Sequence, residues 1–278
     1  MGKSLIGMQF NSNIAPLISV TMPVYNGEEY LAEAIESILS QTFVDFEFII
    51  TDDGSTDGTI GILQKFQNKD SRIRLIVREH KGLSNTANEM LDLARGKWIA
   101  RMDADDIALP QRFERQLQWL TQTDADICGS WIQLFGTADK RILKYPQSDD
   151  AIKMALLFNC AFAHPAVIMK TELVKKLRYN PAWDKVEDYE LWVRAACAGW
   201  KMTNIPEVLL MYRQHSGQIS SVNSVLQQQL SQKVRSRYWD FVSNSLQLKK
   251  EWIGEVLKLR DPLSPIANMS DVDAAFNV

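Results

Sequence analysis

Trp98-Ile99-Ala100-Arg101-Met102-Asp103-Ala104-Asp105-Asp106 is the stretch on which the fold turns. A short β-prone run ends there in three carboxylates within four positions. If the chain is still extended, Asp103 and Asp105 point to one side, because strand side chains alternate. Two such carboxylates repel unless they share a hard divalent cation. A solvated acidic turn is the competing reading, and the neighbouring segments decide between the two.

Upstream, Leu17–Met22 reads as a strand ended by Pro23. Asn26 is expected to N-cap a helix, with Glu29 completing a capping box. Tyr30, Leu31, Ala34, Ile35, Ile38 and Leu39 then recur at helical spacing. Phe46–Thr51 is an apolar strand that runs into Asp52-Asp53-Gly54-Ser55-Thr56-Asp57-Gly58. A helix carrying Ile60, Leu63 and Phe66 follows, then a strand at Ile73–Val77, a helix at Leu83–Ala94 and a strand at Lys97–Met102. This β-α alternation predicts an α/β fold, a parallel sheet with helices on both faces. Ligands of such sheets sit outside the carboxyl ends of the strands. Those ends carry Pro23–Asn26, Asp52-Asp53, His80-Lys81-Gly82 and Asp103–Asp106, so four polar loops converge on one edge. That convergence weighs against a merely solvated turn.

Downstream, Pro110 is expected as the first residue of a helix bearing Phe113, Leu117 and Leu120. Asp126–Phe135 reads as a strand, the pattern weakens between Gly136 and Gln147, and a second lobe is expected to begin there. A helix at Ala151–Phe158 and a strand at Ala166–Met169 precede a helix at Lys185–Ala198, whose first turn holds Glu187 and Asp188. Carboxylates there also suit the helix dipole. Val208–Tyr212 is a strand ending in Arg213-Gln214-His215-Ser216-Gly217. From Val222 the chain reads as helical, with Leu226, Leu230, Val234, Tyr238 and Val242, then Leu248, Trp252 and Val256, forming a packing stripe. Lys233, Arg235, Arg237, Lys249, Lys250, Lys258 and Arg260 are read as a solvated face, with peripheral contact to anionic lipid as the alternative. The expected division is residues 1–135, 136–220 and 221–278, the last a helical C-terminal extension.

The 278 residues are 46% hydrophobic and 23% charged with net charge −3, ordinary values for a soluble globular chain without the basic excess of a nucleic-acid binder. Cys128, Cys160 and Cys197 are far apart, which fits buried thiols in a reducing compartment. No signal peptide or ~20-residue apolar span is read, so the expected location is the cytoplasm, with the inner face of the membrane left open. There is no G-x-G-x-x-G after the first strand, no G-x-x-x-x-G-K-[ST] and no G-x-S-x-G, which argues against dehydrogenase, P-loop NTPase and α/β-hydrolase chemistry. A nucleotidyltransferase would need a basic, Gly-rich loop after the first strand, and Pro23–Gly27 holds no Lys or Arg. What remains is acidic loops and a late Glu-Asp pair. A metal at Asp103 and Asp105 would neutralise a diphosphate while a separate carboxylate acts as general base.

Four motifs now stand in order: Ser19-Val-Thr-Met-Pro-Val-Tyr-Asn26, Thr51-Asp-Asp-Gly-Ser-Thr-Asp-Gly58, Asp103-Ala-Asp-Asp106 and Glu187-Asp-Tyr-Glu-Leu-Trp192. In this arrangement, from about Leu17 to Ser216, the chain resembles bacterial family-2 glycosyltransferases. The resemblance implies the GT-A fold of nucleotide-diphospho-sugar transferases, with a mostly parallel central sheet. It also implies an inverting, Mn²⁺- or Mg²⁺-dependent transfer from a UDP-sugar to a hydroxyl of a saccharide or glycolipid acceptor, in surface polysaccharide or lipooligosaccharide synthesis. By the resemblance Pro23, Tyr25 and Asp53 hold the nucleoside, Asp53 accepting from a uracil N3–H, while Asp52 shares that task or shapes the loop. Asp103 contacts the ribose or the metal's water shell, Asp105 ligates the metal and Asp106 fixes the loop. Asp188 is the implied base, and UDP leaves unprotonated. In the Tyr-Arg-x-His segment Arg213 pairs with phosphate, and His215 ligates the metal or hydrogen-bonds the diphosphate. A surface turn is the plain reading of that segment. His80 and Lys81 occupy the loop that approaches the base in relatives, without the Arg or Asn expected there, and His164 is read chiefly as a packing residue. The alternative is a non-catalytic nucleotide-sugar-binding protein that kept the fold, which intact Asp105 and Asp188 oppose.

Overall fold

β1 (Ile18–Val24), β2 (Phe46–Asp52), β3 (Ile73–Val77) and β4 (Trp98–Arg101) alternate with α1 (Leu31–Leu39), α2 (Thr59–Gln67) and α3 (Leu83–Leu93). The structure, a computed structural model, describes residues 15–218 and 224–247. The four strands pair in parallel in the order β3-β2-β1-β4, with Ile18 beside both Phe46 and Trp98. Alternation along each strand then fills two cores. Phe46, Phe48, Ile50, Trp98 and Ala100 face one, and Ile49 and Ile99 face the other. β2 is buried along its whole length, as a central parallel strand should be.

Beyond β4 the pairing changes. β5 (Ile107–Ala108), α4 (Arg112–Thr123), β6 (Ile127–Phe135), β7 (Ile142–Leu143), α5 (Asp149–Leu156), β8 (Ile168–Lys170), α6 (Thr171–Leu177), α7 (Glu187–Cys197), β9 (Met202–Arg213) and α8 (Ser224–Leu246) complete the described chain. The sheet continues β4-β8-β6-β9-β5, with β7 on β6. β8 runs antiparallel to both β4 and β6, and β9 runs parallel to β6 but antiparallel to β5. The parallel expectation therefore holds for the first half, and the whole is a mixed α/β sheet. It runs without a break across residue 135, because β6 ends there paired to β9.

Several local expectations are corrected. Asn26 does not cap α1, whose N-cap is Tyr30 without a side-chain bond. Asn26 instead adopts a left-handed φ of 50°, a conformation that Asn tolerates. Its Oδ1 accepts from the Thr56 N–H at 2.8 Å, stitching the β1 loop to the β2 loop. Pro110 lies outside α4, ahead of the N-cap Gln111. The strand stops at Arg101, so a turn through Ala104 and Asp105, rather than strand alternation, gathers the acidic residues. All three cysteines are free, but only Cys128 is buried. On α8 the expected stripe packs through Val234 and Tyr238, joined by Trp239, while Leu226 is exposed. Leu248, Trp252, Val256 and the basic residues from Lys249 onward lie outside the described residues.

Candidate active site

The two carboxylates at the end of β2 have different surroundings. Asp53 is buried, and its Oδ1 accepts from the Lys81 N–H at 2.9 Å and from the Arg78 guanidinium. Its Oδ2 accepts from the Gly82 N–H at 3.0 Å and lies 3.0 Å from His80 Nδ1. Three donors, from Arg78, Lys81 and Gly82, thus hold the carboxylate, while His80 Nδ1 also lies 3.1 Å from the Asp53 carbonyl oxygen. This side chain fastens the end of β2 to the start of α3. Arg78 went unnoticed in the sequence, although it stands just ahead of His80 and Lys81. Its guanidinium is held in turn by Glu89 and Thr86, each at 2.6 Å. Gly54, at φ 82°, permits the close approach, since a Cβ there would sit 2.8 Å from the His80 nitrogen. Asp52 keeps an oxygen in reserve. Its Oδ2 accepts from the Ser55 N–H at 3.2 Å, while the buried Oδ1 has no partner among the described residues. Pro23 lies in β1 next to Val24, whose carbonyl accepts the Asp53 N–H at 2.8 Å. Tyr25 is exposed, its ring 4.6 Å from that of His80, and offers an open aromatic face beside this loop.

At the end of β4, Asp103, Asp105 and Asp106 bring ligand oxygens within 4.8 Å of one another. Two buried arginines lie against this cluster. Arg101 Nη2 is 2.7 Å from Asp103, and the fully buried Arg112 donates to the carbonyls of Arg101 and Val167 at 2.8 and 3.2 Å. Burial pulls the Arg112 guanidinium down to about 9, opposed by the charges of Asp106 and Asp103. Burial likewise pushes Asp103 up, against Arg101. Asp106 is pushed well up, first by burial and then by Asp105 and Asp103. Asp106 Oδ1 accepts from the Arg213 N–H at 2.8 Å, so it fixes the loop, while its buried Oδ2 has no partner among the described residues.

β9 closes the site from the far side. His215 Nε2 lies 3.0 Å from Asp105 Oδ2. Arg213 is braced by its neighbours. Its Nε donates to the Asp105 carbonyl at 2.7 Å, its Nη2 meets Glu33 Oε2 at 2.5 Å, and its guanidinium lies 4.2 and 4.5 Å from the ring centres of Tyr30 and Phe135. Arg213 therefore positions the loop that carries His215. Clustered carboxylates with an adjoining imidazole are a donor set that suits Mg²⁺ or Mn²⁺. The partnerless oxygen and the crowding of like charge fit a site completed by such an ion.

The Glu-Asp pair opens α7. Asp188 Oδ1 accepts from the Tyr189 N–H at 2.7 Å, and Oδ2 lies 3.8 Å from Cys160 Sγ. Burial raises its carboxyl, and the charge of Asp103 adds to the rise, so the base candidate and the acidic cluster feel one another. Glu187 is buried, accepts from the Lys185 N–H at 2.8 Å, and is pushed to about 8 by burial and by Asp188. His164 packs as expected, its Nε2 2.9 Å from the Tyr179 hydroxyl and its ring against Trp192. Burial holds its imidazole well below the usual range.

Comparisons with known proteins agree with this geometry. The family model described as "Glycosyl transferase family 2" matches residues 19–177. The O-antigen biosynthesis glycosyltransferase WbnJ of Escherichia coli is 34% identical over 251 residues, covering 88% of this chain and 94% of that one. The Escherichia coli UDP-Glc:alpha-D-GlcNAc-diphosphoundecaprenol beta-1,3-glucosyltransferase WfaP is 34% identical over 207 residues, 74% of this chain and 80% of that one. The fold is similar to that of S. aureus TarS 1–349 in complex with UDP-GlcNAc, with a TM-score of 0.62 at 22% identity. That match covers 73% of this chain and 60% of the TarS chain.

Proposed function

This chain belongs to glycosyl transferase family 2 and is a glycosyltransferase; from that premise we propose that it is an inverting, divalent-metal-dependent enzyme that moves a sugar from a UDP-sugar to an acceptor hydroxyl. The observation that carries the reading is the gathering of Asp103, Asp105 and Asp106 with His215 at the carboxyl end of β4. Asp105 and His215 would hold Mn²⁺ or Mg²⁺, with Asp103 as a supporting contact toward the ribose or the metal's water. A bound cation of this kind offsets negative charge on a departing diphosphate. Pro23, Tyr25 and Asp53 supply the nucleoside side of the pocket, Asp53 accepting from a uracil N3–H while Asp52 shares that task or shapes the loop, and Arg213 pairs with the diphosphate.

Asp188 takes the proton of the acceptor hydroxyl as that oxygen bonds to the anomeric carbon. The bond from that carbon to the diphosphate oxygen breaks on the opposite face, and UDP departs with the electron pair. A half-buried carboxylate whose pKa is raised by desolvation is the better proton acceptor for this step. The UDP-Glc donor and beta-1,3 product in the name of WfaP support the donor class and the inversion. The O-antigen role in the name of WbnJ supports bacterial surface polysaccharide or lipooligosaccharide as the product class, with a saccharide or glycolipid acceptor. In this reading residues 1–135 form the donor half, 136–220 the acceptor half and 221–278 a helical extension. The reaction is assigned to the cytoplasm, at the inner face of the membrane. No helix among the described residues is long and apolar enough to cross a membrane.

Calorimetric titration with UDP, with and without Mn²⁺, tests the reading on the wild-type chain and on Asp105→Ala. Metal-dependent binding that the substitution largely abolishes is expected. Binding indifferent to both metal and substitution would overturn it.

A further inference from the structure

Between the segment that precedes the base in the chain and α8 lies a groove that no step above uses. One wall is Trp183, in the short 3-10 turn Pro181–Trp183 shortly ahead of Asp188. The other is α8, which contributes Gln229, Gln232, Lys233, Ser236 and Arg237. Those five positions follow helical spacing and form a single polar stripe. The groove encloses about 610 Å³, within the range of small-molecule sites and more than a lone phosphate fills. Its lining holds two cations and no carboxylate. Because the chain as a whole carries −3, this local excess runs against the molecule's own charge.

The cations are also prepared for a ligand. The Arg237 guanidinium lies 4.5 Å from the centre of the Trp183 ring, which fixes its plane. A guanidinium fixed in this way keeps its in-plane N–H fork for a bidentate acceptor. Among the described residues neither Arg237 nor Lys233 has a carboxylate within ion-pair distance. The groove is tied to the catalytic side of the molecule. Gln227 Nε2 donates to the Lys185 carbonyl at 2.9 Å, and the Val186 N–H to the Trp183 carbonyl at 3.0 Å. Both bonds fall on the segment that leads directly into Glu187 and Asp188.

We propose that Lys233 and Arg237, set against Trp183, form a subsite for a phosphate or diphosphate group carried by the acceptor, seating the acceptor sugar next to Asp188. The inference rests on Asp188 as the base, and it names the acceptor's chemical class. Without a divalent cation the acidic cluster repels polyanions, so in metal-free buffer containing EDTA it does not compete for diphosphate.

The test is calorimetry in that buffer with two probes, inorganic pyrophosphate and a synthetic glycosyl diphosphate ester of a short alcohol. The wild-type chain is expected to bind the ester more tightly than the free ion. The double substitution Lys233→Ala/Arg237→Ala should weaken ester binding by about tenfold or more, the scale of two lost charge-assisted contacts. Arg237→Lys, which keeps the charge and loses the fork, should weaken it by a few-fold. Both positions are solvent-exposed, and unchanged melting curves establish that the variants fold. Ester binding equal in wild type and double variant, binding of pyrophosphate but not of the ester, or binding of neither probe would overturn the proposal. UDP binding by the wild type with Mn²⁺, measured in the same series, reports on the donor site alone and keeps the two readings separable.

Discussion

The Asp52-Asp53 loop and the Asp103–Asp106 loop look alike in the sequence, acidic turns at the ends of parallel strands, and the protein treats them in opposite ways. Around Asp53 the chain supplies three donors itself, Arg78 and two backbone N–H groups, with His80 close by. Around Asp103–Asp106 it supplies too few, leaving like charges crowded above two buried arginines and one oxygen without a partner. A carboxylate held by the chain's own donors is set in place by the fold, and an under-satisfied cluster leaves room for a cation. Acidic motifs are therefore told apart by their partners, which arrive from distant parts of the chain.

Substitutions sharpen that contrast. The largest effect is expected outside both loops and sets the scale. Asp188→Asn should cut sugar transfer by roughly 10²–10⁴-fold, the contribution of a general base, while metal-dependent UDP binding persists. Transfer at wild-type rate would remove Asp188 from the chemistry. Next comes Asp53→Ala, which takes from the half-buried Arg78 one of its two carboxylate partners and leaves the Lys81 and Gly82 N–H groups without theirs. Losing such contacts costs about 1–3 kcal/mol, read as a lower urea midpoint. A stability loss in the donor-held loop marks its part in the fold, and an unchanged midpoint would erase the contrast. Asp105→Asn should do the reverse. In metal-free buffer it removes one of several repelling charges, so stability is expected to hold or to rise by up to ~1 kcal/mol, while affinity for Mn²⁺ falls. A marked loss of stability would make the second cluster architectural too.

The smallest effect concerns Glu187. Its carboxyl is pushed up to about 8 by burial and by Asp188. The folded chain therefore holds this proton more tightly than the unfolded chain does. The associated stability is fully present below the ordinary carboxyl range and is lost as pH rises through about 8. Glu187→Gln, neutral throughout and able to keep an acceptor for the Lys185 N–H, should match the wild type at acid pH and melt a few degrees higher above that range. Superimposable melting profiles across the range would contradict the shift.

The parts of the fold that were legible in the sequence rest on local pattern. The β-α alternation from Leu17 to Met102, the carboxylates opening α7 and the closeness of His215 to Asp105 all follow from periodicity or from motif order. Features that depend on remote partners were not legible. A buried arginine has no sequence signature, since arginines usually stay wet, so Arg101 and Arg112 gave no sign that they underlie the acidic cluster. Asn26 offered a capping pattern, but its oxygen was claimed by Thr56 across the neighbouring loop. The brace that Glu33, Tyr30 and the Asp105 carbonyl place around Arg213 likewise has no local signature.

One feature also bears on time. Asp105 and the histidine that touches it are separated by 110 positions in the chain. At ribosomal speeds of about 5–20 residues per second, roughly 5–20 s pass between the emergence of the one and of the other. During that interval the strands up to β4 can already pair in parallel, while the acidic turn still lacks both His215 and the Arg213 brace. The nascent chain thus acquires its scaffold early and its complete site only when β9 reaches the edge of the sheet.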